Sequence, residues 1–306
     1  ALVAALLLEQ LRALPPGNPV HAQFRRFVLF IERSLDGGDY RQGIIAWLLA
    51  VVPVVALVAA GAHWLHRTAP LVGLLLDVAV LYVTMGFRQF SHGYGQTHAA
   101  LRSADVAHAR EVLARWCGSP TEAATGTEVA RVAIERGLTC AHRHVFGVIA
   151  WFAVFGAGGA VLYRVCALLR DHWGARPESA TDRFGAFSRD AFGWIDWVPV
   201  RLTAVSFAVT GDFEDALYCW RTQAAAWPDR SEGIVLASGA GAIGVRLGPV
   251  LGSGEALHLR PEMGTGEEAD AELMTSAVGL IWRALVVWLF VIGLLTVAGW
   301  LGATGS

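Results

Sequence analysis

The run FGWIDWVPVRLTAVSF, residues 192–207, places an acid, a helix breaker and a base within an otherwise apolar segment. Arg201 is suited to bidentate contacts with a phosphate or a carboxylate. Pro199 has no N–H to donate, so it can begin a helix at the first position, with Asp196 near the positive end of that helix. We therefore expect a helix to start at Pro199 and to carry a candidate binding site.

The composition excludes several other kinds of chemistry. All 24 basic residues are arginine, so the chain has no lysine for a phosphate-binding P-loop or for a Schiff base. The four cysteines form no C-x-x-C motif, which argues against a zinc ribbon or a thioredoxin-like site. His142 and His144 do not share a helix face, so we expect a partly solvated pair at an interface and no metal site. The net charge is −2 without a basic block, so nucleic acid is not an expected partner.

Long apolar runs indicate which solvent surrounds these residues. The mean hydropathy is +0.47 and charged residues make up 16% of the chain, below the roughly 25% of soluble domains. A helix that crosses a bilayer needs about 20 mostly apolar residues. Four runs approach or exceed this length, at 43–62, 69–87, 145–163 and 276–302. With residues 1–11 as the end of a first membrane helix near Glu9, they predict an all-α, polytopic membrane protein with about five hydrophobic helices.

Polar residues inside these apolar regions are candidates for function. Asp77 lies within a predicted span, where an acid is either functional or paired with a buried arginine, Arg164 or Arg201. GAGAIG at 239–244 matches a dinucleotide-binding pattern only weakly, and we interpret it as small residues that let helices approach closely. Arg246 lies among small residues too, which favours a position facing a cavity rather than lipid.

The polar segments between the apolar runs give conflicting signals about orientation. Residues 88–142, together with Arg143 directly after them, contain seven arginines and residues 170–191 contain four, and both counts favour the cytoplasmic side. A single crossing between these segments would put them on opposite sides. The alternative is a re-entrant hairpin over 143–169, broken at glycines 156, 158 and 159, and the sequence leaves the choice open. We expect amphipathic helices at 101–116 and from Thr127, and one integrated membrane domain over 1–306.

A series of short motifs follows one order through most of the chain. The motifs are LLLEQLRALPPGNPVH, FRQFSHGYGQTHAALRSADVAHAREVLARWCG (with Arg88, Leu101, Asp105, Ala109 and Arg110), DWVPVRLT, Trp220–Arg221, Ser231–Glu232 and SGAGAIGVRLG. In this order they resemble the CobD/CbiB superfamily of membrane proteins, which includes adenosylcobinamide-phosphate synthases and AmpE-like regulators. DWVPVRL is especially similar to the AmpE-like branch.

The chain departs from the synthase pattern at several acidic and asparagine positions. The region before the third apolar run reads IERGLTCAHRHVFG, where only Glu135 can correspond to an acid- and asparagine-rich family element. Asn18 is the single asparagine of the chain, so no asparagine elsewhere can replace those missing from the family element. The synthases need acidic groups to hold magnesium against phosphates, so this loss favours a non-catalytic, AmpE-like regulator or sensor.

The resemblance leaves more than one function open. The main interpretation is the regulator, and the alternative is a divergent synthase that joins a corrinoid carboxylate to an amino-alcohol phosphate, with ATP and magnesium. An unrelated transport or assembly role is the third. The resemblance implies a bacterial inner-membrane, multi-pass location, with the bilayer, a small anionic ligand and a second copy or another membrane protein as partners. The expected ligand-binding residues are Arg88, Asp196, Arg201, Arg221, Ser231, Glu232 and Arg246; for Ser231 and Glu232, a simple helix cap is the other interpretation.

Overall fold

A computed structural model describes residues 1–11, 19–118, 124–176, 182–248 and 261–304. The described chain is almost entirely helical, which confirms the all-α prediction. Its helices are α1 (Leu2–Leu11), α2 (Pro19–Leu35), α3 (Tyr40–Thr68), α4 (Pro70–Thr84), α5 (Phe87–Arg102), α6 (Val106–Cys117), α7 (Gly126–Ala141), α8 (Gly147–His172), α9 (Ala186–Thr210), α10 (Phe213–Gln223), α11 (Arg230–Ile243) and α12 (Ala271–Thr304). A π-helical turn at His142–Phe146 joins α7 to α8, and two short strands, β1 (Val245–Arg246) and β2 (Glu267–Glu268), pair in parallel.

Five of these helices are strongly apolar, as the hydropathy pattern predicts. By length and composition alone, three helical stretches could cross a membrane: Tyr40–Thr68, Gly126–His172 and Ala271–Gly299; the second of these contains the break at Gly156 described below. The apolar helices α1 and α4 are shorter. Pro53 lies inside α3 without ending it, which membrane helices tolerate when neighbouring groups satisfy the freed carbonyl.

The described chain forms two compact units. The first comprises residues 1–89 and 143–199, and the second comprises residues 90–142 and 200–306. In the first unit α3 packs against α8, α4 and α2, while α1 packs against α4. In the second unit α7 packs against α6, α11 and α12, and α10 packs against α11.

Within the first unit, α8 folds back on itself at Gly156. The backbone there leaves helical geometry, with φ 60° and ψ −149°, a combination that only glycine adopts readily. A Cβ on Gly159 would overlap the carbonyl oxygen of Trp151, and one on Gly147 would overlap the ring of Tyr163. Residues so far apart in sequence are in contact only if the two arms run antiparallel. Residues 147–172 therefore form a helical hairpin, which is the shape that the re-entrant alternative of the sequence requires.

In the second unit, α10 and α11 form another antiparallel hairpin, held close by small residues. A Cβ on Gly241 would overlap the backbone of Asp215, and one on Gly211 would overlap the backbone of Ala242. This confirms the close-approach interpretation of GAGAIG. The following GVRLG segment does not extend this pattern, because Gly244 ends α11 in the left-handed conformation and the chain continues as β1.

Two predicted helix boundaries in the polar segment are wrong. The helix expected over 101–116 is divided, because Ala104 adopts a positive φ and Asp105 then caps α6 by accepting a hydrogen bond from the backbone N–H of His108. Helix α7 begins at Gly126, and Thr125 rather than Thr127 is its N-cap residue. The side chain of Thr125 and that of Glu128 form a reciprocal capping box.

The prediction that a helix starts at Pro199 is also wrong, because Pro199 lies inside α9. A proline in a helix cannot donate to the carbonyl four residues before it, which here is that of Ile195. The indole Nε1 of Trp151 donates a hydrogen bond of 3.1 Å to this carbonyl oxygen. The replacement donor comes from the hairpin in the same unit, so α9 continues through the proline.

Candidate functional site

Each unit contains a buried polar cluster, and the first is centred on Asp196. Asp196 has 1% of its surface exposed, and its Oδ1 accepts a hydrogen bond of 2.8 Å from the hydroxyl of Tyr163. Tyr163 lies on the second arm of the hairpin, where Gly147 on the first arm leaves room for its ring. Arg143 and Arg164 are close enough to act electrostatically on this hydroxyl. A carboxylate fixed in this way can bind a cationic group or accept a proton.

The second cluster follows one side of α7 and the π turn. Glu128, Glu135 and His142 recur at intervals of seven residues, about two helical turns, and all three are buried. Glu128 closes the capping box at the start of α7. The other two residues contact separate parts of the same unit, so α7 presents a buried acid and a buried imidazole from one face.

Glu135 and His142 have defined partners in the second unit. The Oε1 of Glu135 accepts a hydrogen bond of 3.2 Å from the backbone N–H of Gly248. The Nδ1 of His142 lies 3.0 Å from the hydroxyl oxygen of Thr203 on α9. A buried imidazole paired with a hydroxyl can move a proton, and π turns often occur at functional sites. His142 is thus not the partly solvated residue that we expected.

The structure places the predicted arginines in different surroundings. Arg201 is half-buried on α9, two positions before Thr203, so its backbone lies within one turn of the His142 contact. Arg221 is exposed in the last turn of α10. Arg246 lies on β1, half-exposed and 4.0 Å from the carboxylate of Glu262. Arg88 lies in the first turn of α5, and its side chain is outside the described part of the structure.

Ser231 and Glu232 lie at the start of α11, and the predicted cap is displaced. Asp229, not Ser231, is the N-cap residue, since its side chain accepts a hydrogen bond from the backbone N–H of Glu232. The Oε2 of Glu232 accepts a hydrogen bond of 3.4 Å from the indole of Trp227. Both predicted residues therefore occupy a helix start, close to the structural interpretation.

Asp77 also has a partner other than the one predicted. Its Oδ2 lies 3.0 Å from the Nε2 of His66, where we expected Arg164 or Arg201. Helices α3 and α4 are consecutive and antiparallel neighbours, so this pair lies across a short connection. Asp77 thus joins the two apolar helices of one hairpin.

Neither Tyr163 nor Thr203 is among the predicted site residues. Each partners a residue that the sequence did mark, Asp196 or His142. The seven-residue spacing of Glu128, Glu135 and His142 is the sequence pattern that indicates their shared face on α7 and the π turn. No local pattern marks Tyr163, because its contact depends on the reversal at Gly156.

Comparisons with known proteins give one consistent result. A family model described as CobD/Cbib protein matches residues 2–281. The chain is 35% identical to "Cobalamin biosynthesis protein CobD" of Stutzerimonas stutzeri over 99% of this chain and 98% of that protein. The like-named protein of Chromobacterium violaceum is 32% identical, over 93% of this chain and 92% of its own length. The one of Mycobacterium tuberculosis is 28% identical, over 86% and 84%.

No solved structure matches the chain significantly. The family assignment therefore depends on sequence, through a match that covers nearly all of the chain and relatives that align over almost their full length. The buried clusters lie on α7, α8 and α9, all within the matched range. The chain belongs to the CobD/CbiB family.

Proposed function

We propose that the chain is an enzyme of cobalamin biosynthesis, a synthase that joins a corrinoid carboxylate to the amine of an amino-alcohol phosphate. The observation that carries this proposal is the 35% identity over 99% of the chain to a relative whose name states cobalamin biosynthesis. This name favours the synthase over the AmpE-like regulator, which no relative described above supports. The missing acidic and asparagine positions mark the chain as a divergent synthase.

The proposed reaction forms a C–N bond between a carboxylate and an amine and breaks one C–O bond of the carboxylate, whose oxygen would leave as part of the phosphate released from ATP. It needs a cationic group for the phosphate of the amine substrate and a group that accepts the proton the nitrogen loses. Arg201 suits the first role, because its guanidinium can bind a phosphate or carboxylate in a bidentate manner. His142 suits the second, because its buried ring already exchanges a hydrogen bond with Thr203.

ATP and magnesium enter this proposal through the family resemblance. Among the described residues, no three metal-ligating side chains lie close enough together to hold an ion. Magnesium is commonly held by one or two carboxylates together with the phosphates of its nucleotide. Glu135 is the acid that the sequence matches to the family pattern, and its carboxylate holds the backbone of Gly248. The phosphates would therefore supply most of the ligands of a magnesium ion here.

We also propose that the protein is a multi-pass protein of the bacterial inner membrane. The long apolar helices support this placement. Exposed apolar residues on α9 support it as well, since Trp194, Trp197 and Val198 lie on the surface on one stripe of the helix. The opposite side of α9 carries the buried Asp196.

A complementation experiment tests the proposed reaction. The gene is expressed in a bacterium that lacks its own synthase and that needs cobalamin made from a corrinoid acid. We expect growth without added cobinamide, and we expect purified membranes to form the amide product from corrinoid acid, amino-alcohol phosphate and ATP, as measured by mass spectrometry. A well-expressed protein that binds corrinoid without forming product would instead establish a sensor.

Arg201→Ala tests the residue assigned to phosphate recognition. We expect loss of complementation with normal accumulation in the membrane, because an exposed or half-buried arginine contributes little to folding. The matched control is Arg283→Ala, which removes an exposed arginine on α12 and should leave growth unchanged. Full activity of Arg201→Ala would remove Arg201 from the site.

A further inference from the structure

In the helical hairpin of residues 147–172, the charged side chains lie on the second arm, from Arg164 to the base, and none lies at the tip. At its base, the guanidinium of Arg143 lies 3.5 Å from the carboxylate of Asp171, which also lies 3.1 Å from Arg170. The next residue, His172, pairs with Glu32 at 3.1 Å. The two ends of the segment 143–171 are thus held together by ion pairs within a polar surrounding.

The tip of the hairpin is apolar and uncovered. Residues 145–163 contain no charged side chain. Val154 is 71% exposed and Phe155 is 62% exposed, and a Cβ on Gly156 would meet no atom within 4 Å. In water such a tip would be unfavourable, at about 25 cal/mol for each Å² of apolar surface. Hydrocarbon is the solvent that suits it.

Contacts with α3 measure how deep the tip reaches. The backbone of Gly43 meets the carbonyl of Phe184, beyond the base, and Gly158 meets Ala59 near the tip. Between these two levels α3 rises about 24 Å, at about 1.5 Å per residue, whereas a hydrocarbon core is about 30 Å thick. The arms, 143–155 and 157–171, are each shorter than the roughly 20 residues that a crossing needs.

From this geometry we infer that residues 143–171 are a re-entrant hairpin whose tip contacts lipid acyl chains and whose two ends lie on the same side of the membrane. The segment enters beside the start of α3, reverses at Gly156 and returns. The polar segments 88–142 and 170–191 then share one side, so their arginines agree with a single orientation. Neither the proposed reaction nor its substrates enter this inference.

Site-directed labelling tests the inference. The free cysteines at 117, 140, 166 and 219 are replaced by serine, and single cysteines are introduced as Arg136→Cys, Ala175→Cys and Phe155→Cys. A membrane-impermeant maleimide is applied to right-side-out and to inverted vesicles. We expect Arg136→Cys and Ala175→Cys to react in the same vesicle preparation only, and Phe155→Cys to react in neither until detergent is added.

The control pair is Ser34→Cys and Trp64→Cys, exposed positions on the two sides of the apolar run of α3. These two must react from opposite sides, which establishes that the assay detects a crossing. If Arg136→Cys and Ala175→Cys react from opposite sides, the segment crosses once and the inference is overturned. Reaction of Phe155→Cys from the side opposite to Ala175→Cys would overturn it too, by showing two crossings.

A second pair of cysteine variants provides the same test if a variant of the first pair does not accumulate in the membrane. Ser103→Cys lies in the segment before the hairpin and His172→Cys directly after it, and both positions are exposed. They are expected to react from one side as well. Reaction from opposite sides has the same meaning as for the first pair. Loss of synthase activity in any of these variants bears on the proposed function and leaves the sidedness result unaffected.

Discussion

The α8 hairpin and the α10–α11 hairpin pack in the same way but turn in different ways. In the α8 hairpin, Gly159 allows its backbone to approach the carbonyl of Trp151. In the α10–α11 hairpin, Gly241 does the same with the carbonyl of Asp215. The α8 hairpin reverses at Gly156 alone, whereas the other uses residues 224–229, with a 3₁₀ turn and the cap residue Asp229.

With the tip of the α8 hairpin in lipid, as inferred above, the difference would follow from the solvent that each turn contacts. A polar connection can leave backbone groups to water and can use an acidic side chain as a helix cap. Hydrocarbon offers no hydrogen bonds, so irregular backbone within it is costly. A reversal at one residue exposes the fewest backbone groups, and it demands a conformation that only glycine provides.

The largest expected effect contrasts two glycines of positive φ, one at the reversal of the α8 hairpin and one at the end of α11 in the other hairpin. Gly156 has φ 60° and ψ −149°, while Gly244, which ends α11, has φ 66° and ψ 41°. Asparagine tolerates the second conformation but not the first. We expect Gly156→Asn to lower the free energy of unfolding by about 3 kcal/mol and Gly244→Asn by less than about 1 kcal/mol. Unfolding in mixed micelles measures both, and equal losses would contradict the comparison.

A slightly smaller effect is expected where the two arms of α8 touch. In Gly159→Ala the new methyl group meets backbone, which cannot move aside like a flexible side chain. We expect a loss of about 2 kcal/mol, in the range of overpacked cores. Gly193→Ala is the control, because nothing lies within 4 Å of that Cβ, and alanine there should stabilise the helix by up to about 1 kcal/mol. Thermal unfolding of the purified variants distinguishes the two signs.

The N-cap of α11, in the turn of the α10–α11 hairpin, should contribute less to the free energy of unfolding. Asp229→Ala removes the side chain that accepts a hydrogen bond of 3.0 Å from the backbone N–H of Glu232. The expected loss is about 1 kcal/mol, as for other N-caps. Asp229→Ser keeps a capping oxygen and should restore most of it. If Asp229→Ser lowers the free energy of unfolding as much as Asp229→Ala, the capping hydrogen bond does not stabilise this turn.

The smallest effect concerns the carbonyl that Pro199 leaves without its helical donor. Trp151→Phe removes the indole N–H that donates to the oxygen of Ile195, with an expected loss of about 0.5 kcal/mol or slightly more. In a Pro199→Ala background, residue 199 regains its N–H and can donate this hydrogen bond itself. Trp151→Phe should then lower the free energy of unfolding by a smaller amount. A double-mutant cycle measures this coupling, and strict additivity would contradict the compensation.

Much of the fold could be predicted because it depends on local composition. The apolar runs at 43–62 and 276–302 lie within α3 and α12, since length and hydropathy suffice to identify such helices. The start of α9 could not be predicted. Pro199 cannot donate a hydrogen bond to the carbonyl of Ile195, but the indole of Trp151, a residue distant in sequence, does so, and α9 runs through the proline. The reversal at Gly156 was one of two alternatives, and only contacts between the arms decide it.

The candidate site shows the same limit more strongly. The motif DWVPVRL marked Asp196 and Arg201, but it contained no information about Tyr163, which becomes a neighbour only through the hairpin. His142 was misplaced because its neighbours in sequence are polar, while its contact with Thr203 buries it. Glu135 was marked by family resemblance alone, and the roles of the predicted arginines remain predictions.

The order of elements along the chain has a consequence for biogenesis. Helices α3 and α4 are synthesised before the α8 hairpin, and chains generally fold from the N-terminus as they emerge from the ribosome. In the proposed membrane placement, the surface of α3 that meets Gly158 would therefore already be in the bilayer when the hairpin arrives. The hairpin, whose arms are too short to insert independently, can then enter the bilayer as a folded pair that packs against α3. The insertion machinery would need to open to the lipid for both arms together.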